Sequence, residues 1–157
     1  MTLPARDGDL AVCLWFDDQA EAAAAHYIDI FGDGRITQVN RRQSDGPALT
    51  VAFELRGRRF LGLNGGPHFK FTPAVSMIVD CADQAEIDHF WRRLGESGAP
   101  SRCGWIADKF GLSWQITPRA LPALLSRGPA VMQALMGMDK IDIAALERAA
   151  EFQGDRP

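Results

Sequence analysis

The tetrapeptide DQAE occurs twice in this chain, at residues 18–21 and again at residues 83–86. Each copy follows a short apolar run that begins with Ala-Val, AVCLWF at 11–16 and AVSMIV at 74–79. Each copy also opens a helical pattern that ends near a glycine. Because the order of apolar run, polar cap and helix is shared, the repeat indicates a duplicated structural module.

Both predicted helices carry start signals in their first turn. Asp18 and Asp83 are good N-cap residues, and Glu21 and Glu86 follow three positions later, as in a capping box. The second helix also has an apolar stripe with spacings of three, four and seven residues, formed by Ile87, Phe90, Trp91 and Leu94.

Strand-like segments follow each helix. In the first half they are RITQVNRR (35–42), ALTVAFELRG (48–57) and RRFLGLN (58–64), with a hairpin turn at Gly57. In the second half CGWIADKFGLSWQI (103–116) predicts two short strands, and APSR is weaker evidence for a third.

These segments predict an α+β fold of two tandem βαβββ modules that form curved mixed sheets. We assign residues 10–64 to the first module, 65–73 to a joint and 74–117 to the second module, within one domain over 1–157. Residues 118–153 are predicted to form short helices, interrupted at Gly128–Pro129 and near Gly137.

The helical tail carries more apolar residues than one layer of short helices needs, namely Leu135, Met136, Met138, Ile141, Ile143 and Leu146. Methionine-rich helical surfaces often serve as adaptable contacts. The tail is therefore predicted to pack on the body or on a second subunit, and we expect a homodimer.

Composition narrows the possible partners. The net charge is −3, with 17 basic and 20 acidic residues spread along the chain, which argues against nucleic acid and against a membrane. The N-terminus lacks the apolar core of a signal peptide. Cys13, Cys81 and Cys103 show no CxxC spacing and read as reduced thiols, so a cytoplasmic protein is expected.

The chain resembles the vicinal oxygen chelate superfamily, the glyoxalase and bleomycin-resistance proteins, and is most similar to the PhnB-like branch named after 3-demethylubiquinone-9 3-methyltransferase. The segments that carry the resemblance are LWFDDQAEAAAAHYIDIF, FELRGRRFLGLNGGPHFKFTPAVSMIVDCADQAEID, CGWIADKFGLSWQITPRALPALL and VMQALMGMDKIDIAALE. The resemblance implies two sheets that close around a small-molecule cavity, and a homodimer.

Strand alternation assigns large apolar residues to the helices and their neighbours to the cavity. In RRFLGLN this rule places Leu61 and Leu63 toward the helix, and Phe60, Gly62 and Asn64 toward the cavity. Val12 and Val75 are likewise predicted to pack inward. With the aromatic residues Phe69, Phe71 and Trp105 added as possible walls, the ligand-binding candidates are Trp15, Glu54, Asn64, Phe69, Phe71, Ser76, Trp105, Ser113 and Gln115.

The joint NGGPHFKFTP is predicted to act also as a rim. Gly65 and Gly66 allow a sharp turn, and alternation sends Phe69 and Phe71 to one side and Lys70 to the other. The two rings are expected to close the pocket or to pack on a partner subunit, with burial in the ordinary core as the alternative.

Metal-dependent relatives place ligands at four equivalent strand positions, which the resemblance maps onto Ala11, Asn64, Ala74 and Gln115. The last follows from DKFGLSWQI, which looks like the family's Asp-x-x-Gly-x-x-x-Glu ending with Gln in place of Glu. Divalent ions of this class bind imidazole or carboxylate groups. We therefore expect no metal at these positions and predict no cofactor.

Two functions of different classes remain open. One is a small-molecule-binding protein of the bleomycin-resistance type, whose aromatic residues stack on a flat ligand. The other is a metal-independent enzyme that uses Gln115 and Asn64 to stabilise an oxyanion, with Glu54 as the visible base. Methyl transfer is not supported, because neither FGDG nor NGGP stands between a strand and a helix.

Overall fold

The structure, a computed structural model, describes residues 10–152. It forms two compact units, and the boundary between them falls between Phe71 and Thr72, inside the predicted joint. Residue 153, the last of the predicted tail, lies outside the described residues. Within the described range, no helix is both long enough and apolar enough to cross a membrane.

The first unit contains one helix and a four-stranded mixed sheet. Its elements are β1 (Val12–Phe16), α1 (Ala20–Phe31), β2 (Gly34–Arg41), β3 (Ala48–Leu55) and β4 (Arg58–Asn64). The strand order is β1-β4-β3-β2, with β1 parallel to β4 and the other neighbours antiparallel.

The second unit repeats this topology. Its elements are β5 (Ser76–Cys81), α2 (Gln84–Gly95), β6 (Ala99–Pro100), β7 (Trp105–Ala107) and β8 (Ser113–Pro118). The order β5-β8-β7-β6, with β5 parallel to β8, matches the first sheet strand for strand. The α+β class and the tandem βαβββ arrangement are therefore confirmed.

The two helices begin differently, although both follow the same tetrapeptide. In α2, Asp83 Oδ1 accepts a hydrogen bond from the backbone N–H of Glu86 at 2.9 Å, as predicted. In α1 the N-cap residue is Gln19, whose side chain makes no capping bond, so the prediction for Asp18 is wrong.

The start of α1 is capped from β4. Asn64 Oδ1 accepts a hydrogen bond from the backbone N–H of Ala20 at 2.9 Å, and Asn64 Nδ2 donates to the carbonyl oxygen of Ala48 at 2.9 Å. This is possible because β1 pairs with β4 and Phe16 lies opposite Asn64. Phe16 comes three residues before Gln19, the N-cap residue of α1, so Asn64 lies close to the start of the helix. Asn64, which is distant in sequence, thus takes the place of a local N-cap side chain.

Each sheet has a helix face, covered by the helix of its own unit, and an opposite far face. In β4 the predicted assignment is reversed. A Cβ on Gly62 would lie 2.9 Å from Ala20 Cβ, and the Phe60 ring stacks on Phe53 at 5.2 Å, so Gly62 and Phe60 lie on the helix face with Asn64. Leu61 therefore belongs to the far face.

The physical reason for this reversal is close packing of α1 on the sheet. Gly62 leaves room for the fully buried Ala20, whereas a larger side chain there would push the helix away. Val12 and Val75, which were predicted to pack inward, are exposed to 39% and 62%, because Val12 is the first residue of the edge strand β1 and Val75 comes just before the edge strand β5.

The tail forms three helices, α3 (Leu121–Leu125), α4 (Pro129–Met136) and α5 (Ile143–Glu151), which end and begin near the predicted glycines. Gln84 of α2 holds the tail, donating to the carbonyl oxygen of Ile141 at 3.0 Å and accepting from the backbone N–H of Ile143 at 2.9 Å.

The tail also builds a small core of its own. Its buried members are Leu124, Val131, Leu135, Ile141, Leu146 and Ala150. Met138 and Ile143 are partly buried against this core, whereas Met136 stays exposed. Most of the apolar surplus that suggested a homodimer is thus covered within the chain, and the homodimer stays a prediction.

Candidate ligand-binding site

The far face of the second sheet brings together four of the predicted site residues. Ser76 of β5 lies opposite Ser113 of β8, and Gln115 of β8 lies opposite Trp105 of β7. On the helix face, Ile106 approaches Gly95 of α2 so closely that an added Cβ would lie 2.7 Å from its Cδ1. Three of them, Ser76, Ser113 and Gln115, lie on the face that alternation assigned to them, and the sheet register adds Trp105 to that face.

A depression of about 360 Å³ opens on this far face. Its lining comes from Pro73, Ala99, Ser101, Trp105, Ile106, Ala107 and Ser113. The Trp105 side chain is half-buried, and Ser113, the first residue of β8, is buried. The depression therefore combines an aromatic wall with small neutral residues, which is the usual composition of a small-molecule pocket.

A fixed polar pair lies beside the depression. Gln115 Nε2 donates a hydrogen bond to Ser76 Oγ at 2.8 Å, which orients the carboxamide. Among residues 10–152, the Gln115 carbonyl oxygen and the Ser113 hydroxyl make no hydrogen bond to another side chain or to the backbone. These groups are available to a bound molecule.

Asp108 stabilises the turn between β7 and β8, two strands that contribute residues to the lining of this depression. Its Oδ1 accepts hydrogen bonds from the backbone N–H groups of Phe110 and Leu112, at 2.8 and 3.1 Å, and its Oδ2 accepts from Trp114 Nε1 at 2.8 Å. The motif DKFGLSWQI contains this aspartate, but no such role was predicted for it. An aspartate two residues before a turn backbone N–H is a known signal for such a turn.

In the first unit, the joint forms an aromatic corner on the far face. Trp15 Nε1 donates to the carbonyl oxygen of Gly66 at 2.9 Å, and the Phe69 ring meets the indole edge-on with centroids 4.9 Å apart. A Cβ on Gly65 would lie 2.2 Å from the indole, so only glycine lets Trp15 lie against the backbone there.

The two phenylalanines of the joint have different surroundings. Phe69 is 66% exposed, whereas Phe71 is half-buried and packs edge-on against Phe16, a core residue, at 5.3 Å. Phe71 thus matches the core alternative, and Phe69 is the ring that remains open to a ligand or a partner.

Two predicted candidates are committed to structural contacts. Asn64 uses its amide oxygen to cap α1 and its amide nitrogen to bind Ala48, and its side chain lies on the helix face. Glu54 forms an ion pair with Arg35 across β2 and β3, at 3.1 Å. The predicted oxyanion donor and the predicted base thus each have a partner within the fold of the first unit.

The inherited ligand positions do not fit a divalent metal. Ala11 and Ala74 carry no ligand atom, Asn64 Oδ1 already accepts the N–H of Ala20, and Gln115 offers a neutral amide. Within residues 10–152, no group of three or more His, Cys, Asp or Glu side chains gathers closely enough to hold an ion.

The cysteines do not add a nucleophile to the far face of the second sheet. Desolvation raises the pKa of the Cys13 thiol, which favours its protonated form. Cys103 is directed toward the tail, where its thiol donates to the carbonyl oxygen of Leu135 at 3.5 Å. Cys81 is buried.

A larger hollow of about 500 Å³ lies in the first unit, beside the start of α1. It is lined by Asp17, Asp18, Arg42, Gln43, Gly46, Pro47, Ala48, Leu49, Asn64, Gly65 and Gly66. The half-buried amide of Asn64 already makes one hydrogen bond through its oxygen and one through its nitrogen, and the charged residues of the hollow are exposed. Volume alone therefore does not make it the better candidate.

Comparison with known protein families shows which family this chain matches. Residues 8–117 match the family described as 3-demethylubiquinone-9 3-methyltransferase. The match covers more than half of the chain, includes both βαβββ modules, and ends before α3. No curated protein matches the chain in sequence.

Solved structures agree with this assignment. The PhnB protein from Bacillus cereus is 30% identical, with a TM-score of 0.64, over 69% of this chain and 98% of that protein. Protein PA1353 from Pseudomonas aeruginosa is 14% identical, with a TM-score of 0.57, over 70% and 98% of the two chains. The fosfomycin resistance protein FosX from Mesorhizobium loti is 13% identical, with a TM-score of 0.50, over 71% and 91%.

The last two likenesses show the fold alone. The family match and the 30% identity to PhnB confirm the resemblance to the PhnB-like branch of the vicinal oxygen chelate superfamily.

Proposed function

Because this chain belongs to the 3-demethylubiquinone-9 3-methyltransferase family, within the vicinal oxygen chelate superfamily, we propose that it binds a small molecule on the far face of its second sheet. The observation that carries the proposal is the depression between Trp105 and Ser113, with the oriented Gln115–Ser76 pair beside it. An aromatic wall supplies stacking, and a few placed polar groups supply orientation.

Binding is favoured over catalysis by the state of the candidate catalytic groups. Glu54 is paired with Arg35, and both ends of the Asn64 amide are engaged in the fold of the first unit. A metal-independent enzyme would therefore have Gln115 as its main oxyanion donor and would lack an evident base. Turnover of any ligand that binds would reverse this preference.

Methyl transfer, which the family description names, receives no support from the strand-to-helix turns. A nucleotide-type cofactor is usually held where a glycine-rich turn joins a strand to a helix. Here the turn from β1 to α1 is Asp17–Gln19 and the turn from β5 to α2 is Ala82–Asp83. Acidic residues at these helix starts would repel a phosphate group.

A thermal-shift screen of small molecules tests the proposal. A ligand present at a hundred times its Kd stabilises the native state by about 2.7 kcal/mol. For a chain of this size such a stabilisation raises Tm by roughly 5–10 °C. A Ser113→Val variant places a branched side chain in the depression and should abolish the shift.

The matched control is Thr117→Val, which also replaces a hydroxyl residue by valine, on the same strand and the same face. We expect this control to keep the shift seen with the unaltered protein. Equal loss in both variants, or equal retention in both, would place the binding elsewhere and contradict the proposal.

A further inference from the structure

We infer that the ligand of this site is an uncharged planar molecule whose edge carries a hydrogen-bond acceptor beside a donor, as in a lactam. This inference rests on the proposed function and adds the chemical class of the ligand.

The absence of charge follows from the lining. None of the residues that line the depression is ionisable, and within residues 10–152 the first ionisable side chain along the far face of β5 is Asp80. Asp80 is already paired with Arg119, at 3.3 Å. A charged ligand would lose its water here without gaining an opposite charge, and that loss is expensive.

The planar shape follows from Trp105 and from the volume. The indole provides a flat apolar wall, on which an aromatic ring packs better than an aliphatic group of the same size. A volume of about 360 Å³ is near the lower end of the range for ligand pockets. The site therefore fits one or two fused rings.

The hydrogen-bonding edge follows from Gln115. A carboxamide has one acceptor oxygen and two N–H donors, and one donor is used on Ser76 Oγ. The carbonyl oxygen and the second N–H of the same carboxamide remain, on the residue that pairs with Trp105 in the sheet. The complementary edge of a ligand is an N–H beside a C=O, which a lactam presents in the plane of its ring.

A matched set of bicyclic probes tests the class at neutral pH. The probes are 2-quinolinone, quinoline, quinoline-2-carboxylate and N-methylquinolinium, and their affinities are measured by isothermal titration calorimetry. We expect 2-quinolinone to bind at least about tenfold more tightly than each of the other three, since it alone is neutral and carries the complete edge.

The variant Gln115→Glu keeps the size of the side chain but replaces the N–H donor by a negative charge. It should weaken 2-quinolinone binding at least about tenfold and strengthen the binding of N-methylquinolinium. Gln133→Glu, on the exposed surface of α4, adds the same charge elsewhere and should change neither affinity.

The possible outcomes separate this inference from the function it rests on. Binding of the carboxylate or the quinolinium as tight as that of 2-quinolinone would overturn the inference and leave small-molecule binding intact. Failure of all four probes would also overturn it, and the Ser113→Val screen would then decide the proposed function independently. Unchanged affinities in Gln115→Glu would show that Gln115 does not form the hydrogen bonds to the edge of the ligand, and would contradict the inference.

Discussion

Replacing Asp108 by asparagine should destabilise the second unit by several kcal/mol, although the shape of the side chain is unchanged. The carboxylate is 4% exposed and accepts from three N–H groups, two on one oxygen and one on the other. Asparagine has a single oxygen, so its NH2 group must face at least one of these donors.

The magnitude follows from the hydrogen bonds that remain. If the oxygen stays on the backbone N–H groups of Phe110 and Leu112, the indole N–H of Trp114 loses its acceptor, at a cost of about 1–3 kcal/mol. The two remaining bonds change from charged to neutral acceptors and weaken by about 1 kcal/mol each. Relief of a buried charge offsets part of this loss, so we expect about 2–4 kcal/mol in total.

A double-mutant cycle with Trp114→Phe isolates this effect. Phenylalanine has no N–H at this place, so Asp108→Asn should cost less in that background, by about 1–3 kcal/mol. The free energies of unfolding of all four proteins are measured by urea titration with far-UV circular dichroism. If the cost of the double variant equals the sum of the single costs within about 0.5 kcal/mol, the indole bond does not explain the role of Asp108.

Four further outcomes are expected. Gly65→Ala should lower the free energy of unfolding by about 1–3 kcal/mol and change the near-UV spectrum, because the new Cβ displaces Trp15 from its hydrogen bond and ring contact; an unchanged urea midpoint would contradict this. Hydrogen bonds from Lys140 and then Gln84 lower the pKa of Asp88, so their stabilisation is present above the ordinary carboxyl pKa and is lost as the pH falls through the lowered value. The pair is half-exposed, so Lys140→Met should cost at most about 1 kcal/mol at neutral pH, and acid titration of both proteins should show the difference vanish. Elemental analysis of protein purified without chelator should find no stoichiometric zinc, nickel, manganese or iron, and stoichiometric metal that Gln115→Ala removes would refute the expectation that the inherited ligand positions hold no metal. Light scattering should give the mass of a homodimer at micromolar concentration, and a monomer mass would count against that prediction.

The sequence predicted the features that depend on residues close together along the chain. The Asp83 cap, the turn at Gly57 and the breaks in the tail were read correctly, because each uses a hydrogen bond or a backbone angle within a few residues. Arg56 and Gly57 both have positive φ, at 46° and 74°, as a two-residue hairpin turn of this kind requires. The repeated order of strands and helices also predicted the fold class.

The placement of the site residues was only partly predictable. In the second sheet, alternation placed Ser76, Ser113 and Gln115 correctly, because large apolar residues separate them on both strands. In β4 both faces are apolar, so alternation gave no sign of which face α1 covers. The register with β1 and β3 decides it, and that register is a property of the folded sheet.

Tertiary structure alone determined which polar groups are committed to the fold. Asn64 looked like a pocket residue, yet its amide caps a helix that begins 44 residues earlier in the chain. Asp108 looked like a motif residue, yet its carboxylate accepts from two backbone N–H groups of the turn that follows it and from the indole N–H of Trp114 in β8. A polar side chain binds whichever donors and acceptors the fold brings within about 3 Å, and sequence shows the group without showing those partners.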